Sequence, residues 1–205
     1  KLLYIDFSKD TYKLGGSSFG QVLNQLGTEA PSILDEEYFI SAFGAIQQLI
    51  EQGLVLAGHD ISSGGLITTL LEMCFPVPNV GLDVNINGLG SDRIKTLFSE
   101  NPAVVIQVKD EKTVTSLLEK SKIKFEVIGD VIQHSIFNIQ HFEFGSLNLK
   151  SLRDTWFYTS YLLDRIQRPK GQAEKRKENL FKQVLEYKFK TSFDGKFSSL
   201  GIDPK

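Results

Sequence analysis

The stretch AGHDISSGGL, Ala57–Leu66, contains the residue types that could do chemistry in this chain: a histidine, an aspartate, two serines and a pair of glycines. The apolar run before it, Gly53–Leu56, fits a short buried strand. After it, apolar side chains recur at helical spacing from Leu66 onward. The pattern therefore predicts a polar turn that joins a strand to a helix.

Two interpretations of this turn stay open from the residues alone. In the first, Ser62 or Ser63 only caps the helix, and Gly64 and Gly65 let the backbone turn sharply. In the second, the free N–H groups and partial positive charge of the helix N-terminus bind a phosphate. Asp60 would repel that phosphate unless a cation lay between them, and Mg²⁺ prefers oxygen ligands and phosphate.

A second turn of the same kind, Gly15–Ser18, opens a short helix that Gly27 ends. It is a second candidate anion site, although a simple capped helix is the favoured interpretation. The lone cysteine, Cys74, lies on an apolar helix, so it is predicted to be a core residue and not a nucleophile.

Composition limits the classes of protein to which the chain can belong. It has 205 residues, 41% of them hydrophobic, and a net charge of -2. This is the composition of a globular chain, without the basic excess that indicates nucleic-acid binding or the long apolar run of a membrane span. One cysteine and no signal-peptide pattern favour a cytoplasmic location. Because no methionine begins the chain, we expect it to be a piece of a longer protein.

The order of predicted elements indicates an α+β fold in which helices pack on a mixed β-sheet. This domain is predicted to span residues 1–145. The clearest helix follows Asp35 as its cap and stops at Gly53, with an apolar stripe from Phe39 to Ile50. Two further helices are predicted to begin after Asp92 or Ser91 and after Asp110.

Residues 146–205 are predicted to form a helical extension followed by a linker. A helix with an apolar stripe through Leu152, Trp156, Thr159, Leu163 and Ile166 comes first. The basic segment after Pro169 fits a solvated helix or a linker. Residues 191–205 are rich in turn residues and resemble a linker at a domain boundary.

The segments LGGSSFGQVLNQLG, GHDISSGGLITTLLEM, VIGDV and LRDTWFYTSYLLDRIQ, in this order, resemble the synthetase half of the phosphoribosylformylglycinamidine synthase family. The resemblance covers almost the whole chain. It implies the C-terminal domain of the second of two synthetase repeats, with a fold like that of the aminoimidazole ribonucleotide synthetase C-terminal domain. The helix that carries Trp156 is similar to the connector to a glutaminase domain in the long, single-chain form.

The resemblance also implies an activity. The family converts formylglycinamide ribonucleotide and glutamine to the amidine in de novo purine biosynthesis, using ATP and Mg²⁺. By the same resemblance Asp60 would be a magnesium ligand, and Ser62 and Gly64 would bind the nucleotide, ATP or ADP. We expect this to be the auxiliary nucleotide site. Ile61 and Ser63 depart from the arginine and aspartate of many relatives.

The expected partners are the other domains of the same polypeptide, the first synthetase repeat and the glutaminase, together with small-molecule substrates. The chain alone is expected to have no ligase activity. The alternatives are a domain of another superfamily member, such as aminoimidazole ribonucleotide synthetase, and a structural module whose turns bind no ligand.

Overall fold

The computed structural model of the protein describes residues 1–140, 147–182 and 196. In chain order its elements are β1 Leu2–Asp6, α1 Ser18–Val22, α2 Glu36–Glu51, β2 Val55–Asp60, α3 Gly65–Cys74, β3 Gly81–Val84, α4 Arg93–Phe98, β4 Ala103–Val108, α5 Glu111–Lys120, β5 Phe125–Ile132, β6 Ile136–Ile139, β7 Leu147–Asn148, α6 Leu149–Gln167 and α7 Gln172–Asn179. The chain divides into two compact units, Lys1–Ser160 and Tyr161–Lys205.

One seven-stranded sheet organises the described part of the first unit, in the order β2-β4-β1-β5-β3-β6-β7. Its neighbouring strands are antiparallel, except for the parallel pair β3 and β6. The predicted α+β class with a mixed sheet is therefore confirmed.

Strand β1 lies in the interior of the sheet, between β4 and β5, and is buried along its whole length. Successive side chains of a strand point to opposite faces. Leu2 and Tyr4 accordingly belong to one hydrophobic cluster, and Leu3 and Ile5 belong to another. Both faces of the sheet are thus covered by packed apolar side chains.

Different helices cover the two faces. Side chains of α3, α4 and α6 join the cluster of Leu2, through residues such as Leu70, Leu97 and Leu149. Side chains of α2 and α5 join the cluster of Leu3, through residues such as Ile46. The site-bearing segment between β2 and α3 therefore connects the edge of the sheet to a helix on one of its faces.

The predicted aspartate caps are confirmed at three helices. The side chains of Asp35, Asp92 and Asp110 accept hydrogen bonds from the backbone N–H groups of Tyr38, Lys95 and Thr113. The predicted stripe of α2 is wrong in part, because its buried residues are Tyr38, Ala42, Ile46 and Leu49. Phe43 and Ile50 are about half exposed instead.

The first half of α6 belongs to the first unit and packs against its core through Leu149, Leu152 and Phe157. Trp156 lies at the surface with its ring 5.8 Å from that of Phe75. The predicted stripe does not continue as a buried face, since Leu163 and Ile166 are exposed. In the second unit, the basic segment after Pro169 forms the short helix α7. Of the two structures predicted for it, a solvated helix or a linker, the helix is therefore the one observed.

The boundary predicted between residues 145 and 146 lies within 141–146, outside the described residues, and stays a prediction. The linker predicted over 191–205 also lies outside them, apart from Lys196.

Candidate functional site

Strand β2 is longer than the sequence predicted and contains the first four of the ten residues of the polar stretch. The predicted burial of this strand is wrong, because β2 lies at the edge of the sheet and Leu56 is exposed. Ala57, Gly58, His59 and Asp60 pair in antiparallel register with Gln107 through Val104 of β4. The turn is therefore confined to residues 61–64. Residues 57–60 join the strand because they pair with β4, which lies more than 40 residues further along the chain. A local sequence pattern does not show such pairing.

Asp60 combines a fixed backbone with an exposed carboxylate. Its carbonyl oxygen accepts a hydrogen bond from the Thr69 hydroxyl at 3.0 Å, and the next N–H, that of Ile61, donates to the carbonyl of Ala103 at 2.9 Å. Its side chain is 77% exposed, and Oδ1 lies 3.3 Å from Nδ1 of His59. Asp60 thus presents a negative charge to solvent from the end of a strand.

The prediction that Ser62 or Ser63 caps α3 is wrong. The N-cap is Gly64, whose φ of 90° is left-handed and which has no side chain to cap with. Gly65, also left-handed, donates its N–H to the carbonyl of Ser62 at 3.0 Å. The two glycines start the helix too late for either serine to reach its free N–H groups. The Ser62 hydroxyl is exposed and makes no hydrogen bond within the described residues.

The acceptor at the start of α3 is Glu100, a residue that the sequence analysis missed. Its Oε1 atom accepts hydrogen bonds from the N–H groups of Gly64 and Ser18, each at 2.8 Å. Ser18 belongs to the second glycine–serine turn, where Ser17 caps α1 by accepting from the N–H of Gly20 at 3.2 Å. Glu100 lies between α4 and β4, where no motif marks it.

A cavity of about 450 Å³ lies beside the turn. Asp60 and Glu100 contribute carboxylates to its lining, and Phe7, Phe39 and Phe43 contribute aromatic rings. Ile61 also lines it and is buried in the core. The cavity therefore has an apolar wall for a flat group and acidic side chains suited to a cation.

The residues fit magnesium only if a ligand completes the ion's coordination. The described part of the chain has no group of three or more histidine, cysteine, aspartate or glutamate side chains that could hold a metal. Mg²⁺, however, usually keeps several waters and binds to one or two carboxylates together with substrate phosphates. The exposed carboxylate of Asp60 meets that requirement.

Cys74 is a core residue, as predicted. Its side chain is buried, and burial raises the pKa of its thiol to about 12. Because the thiolate is the reactive form, Cys74 is not a nucleophile in this fold.

The family model described as "AIR synthase related protein, C-terminal domain" matches residues 12–141, which include β2, the turn and α3. The chain belongs to this family. The described residues also contain no helix long and apolar enough to cross a membrane.

Two curated relatives carry a more specific name. The "Probable phosphoribosylformylglycinamidine synthase, chloroplastic/mitochondrial" of Arabidopsis thaliana is 33% identical over 213 residues, which cover 100% of this chain and 15% of the relative. The human phosphoribosylformylglycinamidine synthase is 32% identical over 187 residues, with 86% and 14% covered. The chain thus spans about 15% of the length of these relatives.

Among solved structures, Thermotoga maritima PurL complexed with ATP has a TM-score of 0.55 and 15% identity to this chain. The match covers 74% of this chain and 25% of that one. At this identity the likeness concerns the fold, and it confirms the predicted domain type.

Proposed function

We propose that this chain is part of a phosphoribosylformylglycinamidine synthase, an ATP-dependent carbon–nitrogen ligase with glutamine as its amido donor. The enzyme would convert formylglycinamide ribonucleotide to the amidine in purine biosynthesis. The two curated relatives of that name support this proposal. The chain would be the C-terminal domain of the second synthetase repeat of the long form.

Within that enzyme, the domain would contribute to a magnesium–nucleotide site, the auxiliary one. Asp60 would bind Mg²⁺, and Ser62 would contact the nucleotide, ATP or ADP. The observation that carries this assignment is the exposed Asp60 carboxylate on a fixed backbone, beside a cavity with aromatic walls. The structure of PurL with ATP supports the choice of nucleotide.

Gly64 has a more limited role in this proposal. Its N–H already donates to Glu100, so this group is not free to bind a phosphate. Gly64 would instead shape the turn through its left-handed backbone conformation, which costs free energy for any L-residue that has a side chain.

The partners of the domain would be the first synthetase repeat and the glutaminase domain of the same polypeptide, in the cytoplasm. They would supply the ligands of the ion and the nucleotide that this domain lacks. The chain alone would then show no ATP-dependent amidine formation.

The test is the nucleotide content and melting temperature of the complete enzyme, for wild type and Asp60→Asn. Asparagine keeps the size of the side chain and its turn-forming ability but removes the charge. We expect Asp60→Asn to retain less nucleotide and to melt lower. A nucleotide bound only by the folded state at a hundredfold excess over its Kd adds ~2.7 kcal/mol to the free energy of unfolding.

The matched control is Asp154→Asn, which also removes an exposed carboxylate. Among the described residues this carboxylate pairs with Lys150 alone, at 3.0 Å. It should leave nucleotide content unchanged. If Asp60→Asn also changes neither nucleotide content nor melting, the magnesium role is wrong and the turn is a structural one.

A further inference from the structure

Glu100 joins the two glycine–serine turns of the chain through one atom. Its Oε1 accepts from Ser18 N–H in the first turn and from Gly64 N–H in the second, each at 2.8 Å. Backbone N–H groups at helix starts have no partner within their helix, and a carboxylate is a strong acceptor for them. One part-buried carboxylate oxygen therefore holds two segments that are distant in sequence.

The segment that carries Glu100 is itself held firmly. Its neighbours Ser99 and Asn101 are both buried. The Asn101 amide donates to the Ser8 hydroxyl at 3.3 Å and to the Thr11 carbonyl at 3.2 Å. The carboxylate of Glu100 thus extends from an anchored backbone.

Aromatic packing and a close backbone approach reinforce the same arrangement. The ring of Phe98 stacks on that of Phe19 in α1, with centroids 4.5 Å apart. A Cβ atom at Gly65 would lie 2.7 Å from the carbonyl oxygen of Leu97. The end of α4 therefore lies directly against the start of α3 as well as against α1.

We infer that Glu100 is a positioning residue for the site of Asp60 and Ser62. By holding the N–H of Gly64, it sets the end of the turn that contains Ser62, while the ladder with β4 sets its beginning at Asp60. Glu100 also neutralises the start of α3, which leaves Asp60 as the exposed carboxylate of the cavity. This inference rests on the proposed function, because it assigns Glu100 to the same nucleotide site.

Two variants separate positioning from direct binding of the ion. Glu100→Gln keeps an oxygen that can accept from both N–H groups but has no charge, whereas Glu100→Ala removes the acceptor. The measurement is the Kd of ADP with Mg²⁺ for the complete enzyme, well below its melting temperature, with the exposed Glu119→Ala as the control. We expect Glu100→Ala to weaken binding at least about tenfold, because both N–H groups lose their acceptor. Glu100→Gln should weaken it by less than about threefold, because the amide oxygen still accepts from both groups, although less strongly than a carboxylate does. Glu119→Ala should bind as wild type does.

Hydrogen exchange of the same proteins tests the contact itself. The amides of Ser18 and Gly64 should exchange at least about tenfold faster in Glu100→Ala, and at close to the wild-type rate in Glu100→Gln. Faster exchange of these amides alone, without a change across the core strands, would show that the effect is local.

The possible results distinguish this inference from the function on which it rests. Equal losses of affinity in Glu100→Gln and Glu100→Ala would make Glu100 a direct ligand and overturn the positioning role. A wild-type Kd in Glu100→Ala would also overturn it, with the nucleotide site left intact. A wild-type enzyme that binds no ADP would overturn the proposed site and the positioning role together.

Discussion

Glu72 accepts a hydrogen bond from the indole N–H of Trp156 at 2.9 Å. Its other carboxylate oxygen lies 3.1 Å from Nε2 of His59, the residue before Asp60. The Glu72 side chain of α3 thereby contacts both His59 in β2 and Trp156 in the first half of α6. This contact links the helix with the only tryptophan of the chain to the neighbourhood of the candidate site.

The Glu72–Trp156 bond should be measurable as a coupling energy. Trp156→Phe removes the donor and keeps an aromatic ring near Phe75, and Glu72→Ala removes the acceptor. Because the bond lies at the surface, we expect a coupling of about 1 kcal/mol in a double-mutant cycle. Urea unfolding followed by circular dichroism measures it, since Trp156→Phe leaves no tryptophan to follow by fluorescence. Additive effects of the two changes would contradict the prediction.

Gly65 should tolerate alanine far less well than another left-handed glycine, Gly53. Both have a φ near +70° (+73° and +67°), which costs an L-residue about 1–2 kcal/mol. A Cβ atom at Gly65 would also lie 2.7 Å from backbone atoms of Leu97 and Phe98, whereas one at Gly53 meets nothing within 4 Å. Denaturant unfolding should therefore show a loss of at least about 3 kcal/mol for Gly65→Ala and about 1 kcal/mol for Gly53→Ala. Equal losses of stability in the two variants would show that the end of α4 moves to make room for the added methyl group.

Cys74 should be unreactive in the folded chain. Its side chain is 2% exposed, and burial raises its pKa to about 12. At a pH of about 8 almost none of the thiol is ionised, and the thiolate is the form that reacts. Titration with a disulfide reagent should detect no thiol in the native 205-residue chain and one after unfolding in guanidinium. Fast labelling of the native chain would mean that α3 opens readily.

The carboxylate of Asp10 should make the free energy of unfolding fall as the pH is lowered into the acid range. Lys13 Nζ lies 2.7 Å from it, and that contact, with the N–H groups of Ser32 and Thr11, holds the pKa of Asp10 below its ordinary value. A lowered pKa in the folded state gives stability above the ordinary pKa, and this stability is lost as the pH falls through the folded value.

Asp10→Asn removes that titrating group, so it tests the pH dependence directly. The wild type should unfold at higher urea than Asp10→Asn at a pH of about 6, and the difference should shrink as the pH falls below about 4. A difference that stays constant across this range would show that the charge of Asp10 does not stabilise the fold.

The features that the sequence predicted correctly depend on neighbouring residues. Asp35, Asp92 and Asp110 cap their helices because an aspartate just before a helix can reach the N–H three residues later. The apolar run from Leu2 to Ile5 in β1 is likewise a local pattern, and it fits a strand covered on both faces. The polar turn between β2 and α3 could be located because polar residues and glycines there separate two apolar segments.

Only the tertiary structure decided how that turn is held. The pairing of β2 with β4 carried the strand on to Asp60, and two left-handed glycines removed both serines from the cap position. Glu100 then took the place of the expected anion, although it is distant in sequence from the turn. A sequence shows which N–H groups a turn will leave free, because that follows from local backbone geometry. It does not show which side chain will reach them, because that depends on how the sheet brings distant segments together.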